Sequence, residues 1–225
     1  MEYIENKNFN IDLKKDCGFE INKEDLITVL NHTNDMLRLL PSTVYLALDY
    51  KSVSSIVGAI YCKMCEENLD CIVNPIEKGH PDVLPKNAVN DIDNEKKLRN
   101  YGIGLEIKCT VGSVEKKHEK NLQRINKLNG LTWQAHHREV DRLLAIVWDF
   151  VPSENGNSIF PKITGLFYSS DLEEDDWGAI SGTSGRNTKV CGMKKSGREK
   201  LGSNWICILN DERYEKKYKK IMYIK

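Results

Sequence analysis

The run RLLAIVWDFV at residues 142–151 constrains the fold most strongly. It is far shorter than the roughly 20 apolar residues that a membrane span needs, and it suits a strand buried in a sheet. A buried strand needs partners and cover. GIGLEIKCTV (102–111), KITGLFYSS (162–170), NWICILN (204–210) and CIVNPI (71–76) read as further strands. Cover comes from earlier in the chain. KEDLITVLNHTNDMLRLL (23–40) has helical spacing and stops at Pro41. Ser52 is placed to cap a second helix reaching about Asn68, with Val53, Ile56, Val57, Ile60 and Met64 on the 3.6-residue period. Gly58 and Ala59 permit close packing of that helix on a sheet. STVYLALDY (42–50) reads as a loop or short strand, and 86–101 as a loop or hairpin tip. Val114, Leu122, Ile125 and Leu128 suggest a short helix over 114–130. A short helix, a Gly/Ser/Thr loop and a basic segment fill 171–203. Helices lead and a mixed sheet follows, so the class is α/β or α+β.

The 225 residues fit a single domain, 1–225, large enough to bury a core without disulfides. With no long apolar run and a polar start, MEYIENKNFN, neither a membrane span nor a signal peptide is expected. The seven cysteines are an odd set lying partly in apolar runs, which suits buried free thiols in a reducing cytoplasm. Cys62-x-x-Cys65 with Cys71 could suggest zinc, but a fourth ligand at sensible spacing is missing. Net charge is zero, yet DLEEDDW (171–177) is acidic, while Arg186 to Lys220 holds eleven Lys or Arg against four Asp or Glu. Such a block is a polyanion surface or a solvated helix face.

The pattern Asp/Glu-x-Lys occurs seven times and means little alone. Glu106 and Lys108 differ from the rest because they sit inside an apolar strand pattern. Alternation puts both on one face, with Leu105, Ile107, Cys109 and Val111 on the other. Asp82, 24 residues upstream in GHPDVLP, supplies a second carboxylate if a turn at 86–101 returns the chain beside LEIK. The simpler alternatives are a surface ion pair on an edge strand, and an aspartate capping the turn after Pro81. Converging, Asp82 and Glu106 with the Ile107 carbonyl form a hard oxygen site for Mg²⁺. A cation there polarises a phosphodiester and activates water, while Lys108 holds the water and stabilises charge building on phosphorus. Glu67 lies on the apolar side of its helix pattern, as an extra acid or as a helix-end residue reaching solvent.

Pro81-Asp82 followed by Glu106-Ile107-Lys108 resembles the PD-(D/E)XK nuclease superfamily, and within it the small type II restriction endonucleases. The helix pattern DYKSVSSIVGAIYCKMCEEN (49–68) ahead of the Pro-Asp segment fits. So does GLTWQAHHREVDRLLAIVWDF (130–150), which sets Trp133, Gln134, His136 and His137 before a strand. The clear resemblance covers about residues 50–150, and 160–210 fits more loosely. It implies a restriction-endonuclease-like mixed sheet flanked by helices. It further implies Mg²⁺-dependent cutting of both strands of double-stranded DNA at a short site, leaving 5′-phosphate ends. A palindromic site is cut most simply by a homodimer. Gln134 or His137 would position a phosphate or water, or be polar residues at a strand entrance.

DNA recognition is expected in about 171–210. In SGTSGRNTKVCGMKKSGREK (181–200), Arg186 has the fork to read guanine and Asn187 the amide to read adenine, with Thr188 able to hydrogen-bond bases or phosphates. Lys189, Lys194, Lys195 and Arg198 are placed for phosphates. The alternative is a basic loop without sequence preference.

Overall fold

A computed structural model describes residues 2–114, 131–134, 140–153, 156, 158–181 and 190–224. Its first element is one the sequence pattern does not announce: β1 (Tyr3–Glu5), a three-residue strand in a polar segment. It is followed by the short helix α1 (Leu13–Cys17) and by α2 (Lys23–Leu37), which opens on a capping box made by Asn22 and Asp25. Leu26, Val29, Leu30 and Leu37 form the buried stripe of α2.

Residues 42–47, expected as loop or short strand, are a helical turn, α3 (Ser42–Ala47). Pro41 starts it with a dihedral suited to a helix entrance, and buried Tyr45 ties it down by donating its hydroxyl to the Leu37 carbonyl at 2.8 Å. The next helix, α4 (Tyr50–Asn68), is capped by Asp49 and not by Ser52: the Asp49 side chain accepts from the Ser52 N–H at 2.8 Å. A hairpin of β2 (Cys71–Val73) and β3 (Val83–Pro85) follows. Residues 86–101, expected as a loop or hairpin tip, then hold a 3₁₀ turn (Lys86–Asp91) and one turn of helix, α5 (Glu95–Leu98).

β4 (Ile107–Val111) comes next and is joined, through a segment carrying β5 (Thr132–Gln134), to β6 (Leu143–Pro152). The short helix expected at 114–130 falls almost wholly outside the described residues. β6 is the apolar run identified above, and its first eight residues are buried. β7 (Ile159–Ser169), β8 (Val190–Gly192), α6 (Lys195–Ser203), β9 (Trp205–Leu209) and α7 (Glu212–Ile221) complete the chain. The main sheet is five-stranded and mixed, in the order β1-β9-β7-β6-β4. β4 runs parallel to β6, and the other pairs are antiparallel. β5 and β8 form a separate two-stranded ribbon, with β5 beside β4.

Helices flank both faces of this sheet. On one, α4 packs against β4 and β6. The Trp148 indole donates to the Ser54 hydroxyl at 2.9 Å, and a Cβ on Gly58 would meet the Cys109 sulfur at 3.4 Å, an ordinary contact, so α4 lies directly over β4 there. On the other face, α7 buries Tyr214, Tyr218 and Ile221, and the Tyr214 hydroxyl donates to Asp149 at 2.9 Å. Trp148 and Asp149 are consecutive on β6, so their opposite partners follow from strand alternation. All seven cysteines are free, and six are buried. Burial pushes the Cys17 and Cys71 thiols up to about 12, so both stay protonated at neutral pH. Among the described residues no helix is long and apolar enough to cross a membrane.

Candidate active site

Three short pieces of chain meet at the open edge of β4. The first is His80-Pro81-Asp82, whose His80–Pro81 peptide is cis. Its backbone is held from two sides. The Asn74 N–H donates to the Asp82 carbonyl at 2.9 Å, and the Asn74 side chain donates to the Pro81 and Leu98 carbonyls at 3.0 and 2.9 Å. His80 bridges to Asn100, with the His80 N–H on the Arg99 carbonyl at 3.0 Å and the Tyr101 N–H on the His80 carbonyl at 2.7 Å.

The second piece is Gly104-Leu105-Glu106, just ahead of β4. Val83 and Leu105 exchange two backbone hydrogen bonds, at 3.1 and 2.8 Å, so the returning turn brings the two segments side by side as the sequence predicts. Gly104 makes this approach possible. Its φ is +148°, and a Cβ would sit 2.4 Å from the Val83 carbonyl oxygen. Gly104→Ala is expected to lower stability by about 1–3 kcal/mol in urea unfolding. An unchanged midpoint would mean the two segments can separate freely.

The third piece is β4 itself, carrying Ile107 and Lys108. Lys108 lies on the face opposite Cys109, as Glu106 does by alternation. Its ammonium touches both carboxylates, Glu106 Oε1 at 2.6 Å and Asp82 Oδ2 at 3.4 Å. The Ile107 N–H donates to Asp82 Oδ2 at 2.8 Å. The Glu106 carbonyl accepts from Leu144 on β6, so the Ile107 N–H and C=O both face away from β6, toward Asp82. Asp82, Glu106, Lys108 and the Ile107 carbonyl edge therefore come together.

This is not a surface ion pair. Glu106 is 4% exposed and the Lys108 side chain 14%. His80, two residues before Asp82 in the chain, also belongs here: its Nδ1 lies 3.1 Å from Glu106 Oε1. Its only sequence signal is an imidazole two residues before the aspartate. Both donors to Glu106 fall on Oε1, while Oε2 is buried with no hydrogen-bond partner. Asp82 likewise takes both its donors on Oδ2. An open cleft of about 190 Å³ adjoins the cluster, lined by Glu106, His80, Tyr101, Gly104 and Arg142 among others.

The electrostatics follow from this crowding. Burial alone would raise the Glu106 carboxyl, but the His80 hydrogen bond and the Lys108 charge outweigh it and hold it at about 2. Burial raises Asp82, with Lys108 opposing and Glu106 reinforcing. Burial works to lower Lys108, yet the two carboxylates keep its pKa above the ordinary lysine value. The hydrogen bond it donates to Glu106 raises His80.

The remaining candidates lie elsewhere. Of the two expectations for Glu67, the helix-end residue reaching solvent is the one observed: its side chain is 51% exposed and pairs with Lys63 at 3.8 Å. Gln134 ends β5, whose strand lies beside β4, but its side chain is outside the described residues. His136, His137, Arg186, Asn187, Thr188 and Lys189 also lie outside them. Lys194, Lys195 and Arg198 stand at the start of α6, which packs on β7 and not at the β4 edge. Lys195 and Arg198 pack over the Tyr223 ring, and Arg198 donates to the Ile221 carbonyl at 3.2 Å. The acidic and basic blocks partly neutralise one another, since Lys200 pairs with Asp176 at 2.8 Å. Compared with protein-family models, curated proteins and solved structures, the chain matches none.

Proposed function

We propose that the protein is a Mg²⁺-dependent type II restriction endonuclease with a restriction-endonuclease-like core, acting in the cytoplasm as a homodimer on double-stranded DNA. One observation carries this reading. Two carboxylates from separate segments meet on one lysine, and the buried one keeps an oxygen, Glu106 Oε2, without any donor. A buried, unpartnered carboxylate oxygen is costly unless a ligand completes it. The parallel pairing of β4 and β6 inside a helix-flanked sheet supports the same family reading.

The residues fit a hard divalent cation. Asp82, Glu106 and the Ile107 carbonyl would hold it, an all-oxygen set suited to Mg²⁺. When bound, the cation supplies Lewis acidity toward the phosphodiester. The chain's own groups do the rest. The Ile107 N–H fixes Asp82 by one oxygen and leaves the other available. Lys108 orients the attacking water and stabilises the charge that builds on phosphorus. Water adds to phosphorus and the 3′ oxygen leaves, giving a 5′-phosphate and a 3′-hydroxyl.

Incubation with plasmid DNA and Mg²⁺ tests the reading. Discrete fragments support it. Nicking that follows DNA structure means a repair-type nuclease, and binding without cleavage means a non-catalytic module. Recognition is assigned to the stretch around Arg186. Arg186→Ala is expected to weaken binding to the cognate site by about 1–3 kcal/mol while sparing random DNA. Equal loss on both, in a salt-controlled competition assay, would make Arg186 a phosphate contact.

A further inference from the structure

We infer that His80 is a positioning residue for the cation site, acting through Glu106. This rests on the reading that Asp82 and Glu106 hold a divalent cation, and it adds a group that neither the Pro-Asp nor the Glu-x-Lys pattern contains. A glutamate carboxylate rotates freely about its last bond unless something fixes it. In this site Lys108 and His80 approach the same oxygen, Oε1, at 2.6 and 3.1 Å. Two donors on one oxygen set the carboxylate plane and keep Oε2 clear of internal donors, inside a site where Glu106 is 4% exposed.

Lys108 cannot set that plane alone. Its ammonium sits at the end of four rotatable carbons and is shared with Asp82 at 3.4 Å. His80 is anchored much more closely to its backbone. Both its N–H and its C=O are engaged, on Arg99 and Tyr101, and the neighbouring Pro81 and Asp82 carbonyls are held by Asn74. His80 also lines the cleft beside Glu106, so the carboxylate it orients borders that cleft. Partners that orient metal-binding carboxylates from behind commonly change metal affinity 10–100-fold when removed.

The test compares His80→Ala with His80→Asn. Asparagine places its side-chain N–H at nearly the same reach as histidine Nδ1 and can donate to Oε1, while alanine cannot. Mn²⁺ is titrated into each folded protein and free ion is followed by electron paramagnetic resonance, alongside plasmid cleavage as a function of Mn²⁺. His80→Ala is expected to weaken Mn²⁺ binding about 10-fold or more and to shift the cleavage curve to higher Mn²⁺. His80→Asn is expected to recover most of the affinity. Wild-type affinity in the alanine variant overturns the inference, and so does an equal loss in both variants. If the wild type binds Mn²⁺ with the expected variant pattern yet never cuts DNA, the nuclease reading fails and the role of His80 stands. If the wild type cuts DNA and His80→Ala does so at the same Mn²⁺, the reverse holds. A wild type that binds no Mn²⁺ overturns both.

Discussion

Asp82→Ala and Glu106→Ala are each expected to abolish DNA cleavage while leaving DNA binding in Ca²⁺ intact. Each removes one of two carboxylates that share a single ammonium, so neither can be replaced by its partner. The rate loss should reach at least about 10³-fold, the upper end of what one preorganised electrostatic group supplies. The two should differ in stability. Glu106→Ala deletes a buried acceptor and leaves Lys108 with Asp82 alone. Asp82→Ala removes a carboxyl that burial already disfavours in its charged form, so its cost should be smaller. Cleavage at wild-type rate in either variant would remove that residue from the chemistry.

Lys108→Met carries the second large effect, on both activity and stability. On the proposed function, cleavage should fall about 10²–10³-fold, the loss of one charge that stabilises the reacting phosphate. Stability at pH 7 should fall by about 3–5 kcal/mol, because two carboxylates lose their common counter-ion. The pH dependence has a definite sign. Glu106 is held at about 2 against an ordinary 4.5, so its contribution is present above about 4.5 and is lost as pH falls toward 2. Asp82 is raised and acts in the opposite sense: its cost appears as pH rises through its folded pKa and offsets part of the Glu106 gain at neutrality. Without Lys108, Glu106 titrates higher, and acid unfolding should begin at higher pH than in the wild type. Chemical unfolding between pH 2 and 8 checks this, and coincident pH profiles would show that Lys108 does not hold Glu106 ionised. Mg²⁺ should narrow the stability gap, since a cation replaces the missing positive charge.

Where local chemistry decides the structure, the sequence is readable. α2 and α4 follow from apolar spacing, and β6 and β7 from runs too apolar to sit elsewhere. The meeting of Asp82 with Glu106 follows from a turn of the right length between two short apolar segments. Other features depend on contacts remote in sequence. β1 is a strand only because β9 pairs with it about two hundred residues later. α3 exists because Tyr45 docks on the end of α2. The turn at 42–50, rich in Leu, Val and Tyr, carries no helical period of its own that could be read against a strand. His80 has no pattern to mark it, as its meaning comes from an oxygen 26 positions away. The same holds for Asn74, which grips the Asp82 segment through the Pro81 and Asp82 carbonyls, ties it to the Leu98 carbonyl, and looks like an ordinary turn residue in CIVNPI. The sequence suggests phosphate and water as partners for Lys108; in the structure it bridges two acids whose mutual repulsion would otherwise force them apart.

The basic block is partly neutralised within the fold. Eleven cations between Arg186 and Lys220 suggest one broad anion surface. Several are engaged within the fold: Lys200 on Asp176, Arg213 on Asp211, Lys219 on Glu215, and Arg198 on the Ile221 carbonyl. On the proposed function, the α6 and α7 cations are expected to tune salt dependence more than sequence preference.

The most direct measurement is the anomalous scattering of Mn²⁺ in crystals of the protein grown with a short DNA duplex. The expected result is a peak at metal–oxygen contact distance, about 2.0–2.6 Å, from Glu106 Oε2, Asp82 and the Ile107 carbonyl. Mn²⁺ bound elsewhere, with Lys108 still closing both carboxylates, would contradict the account.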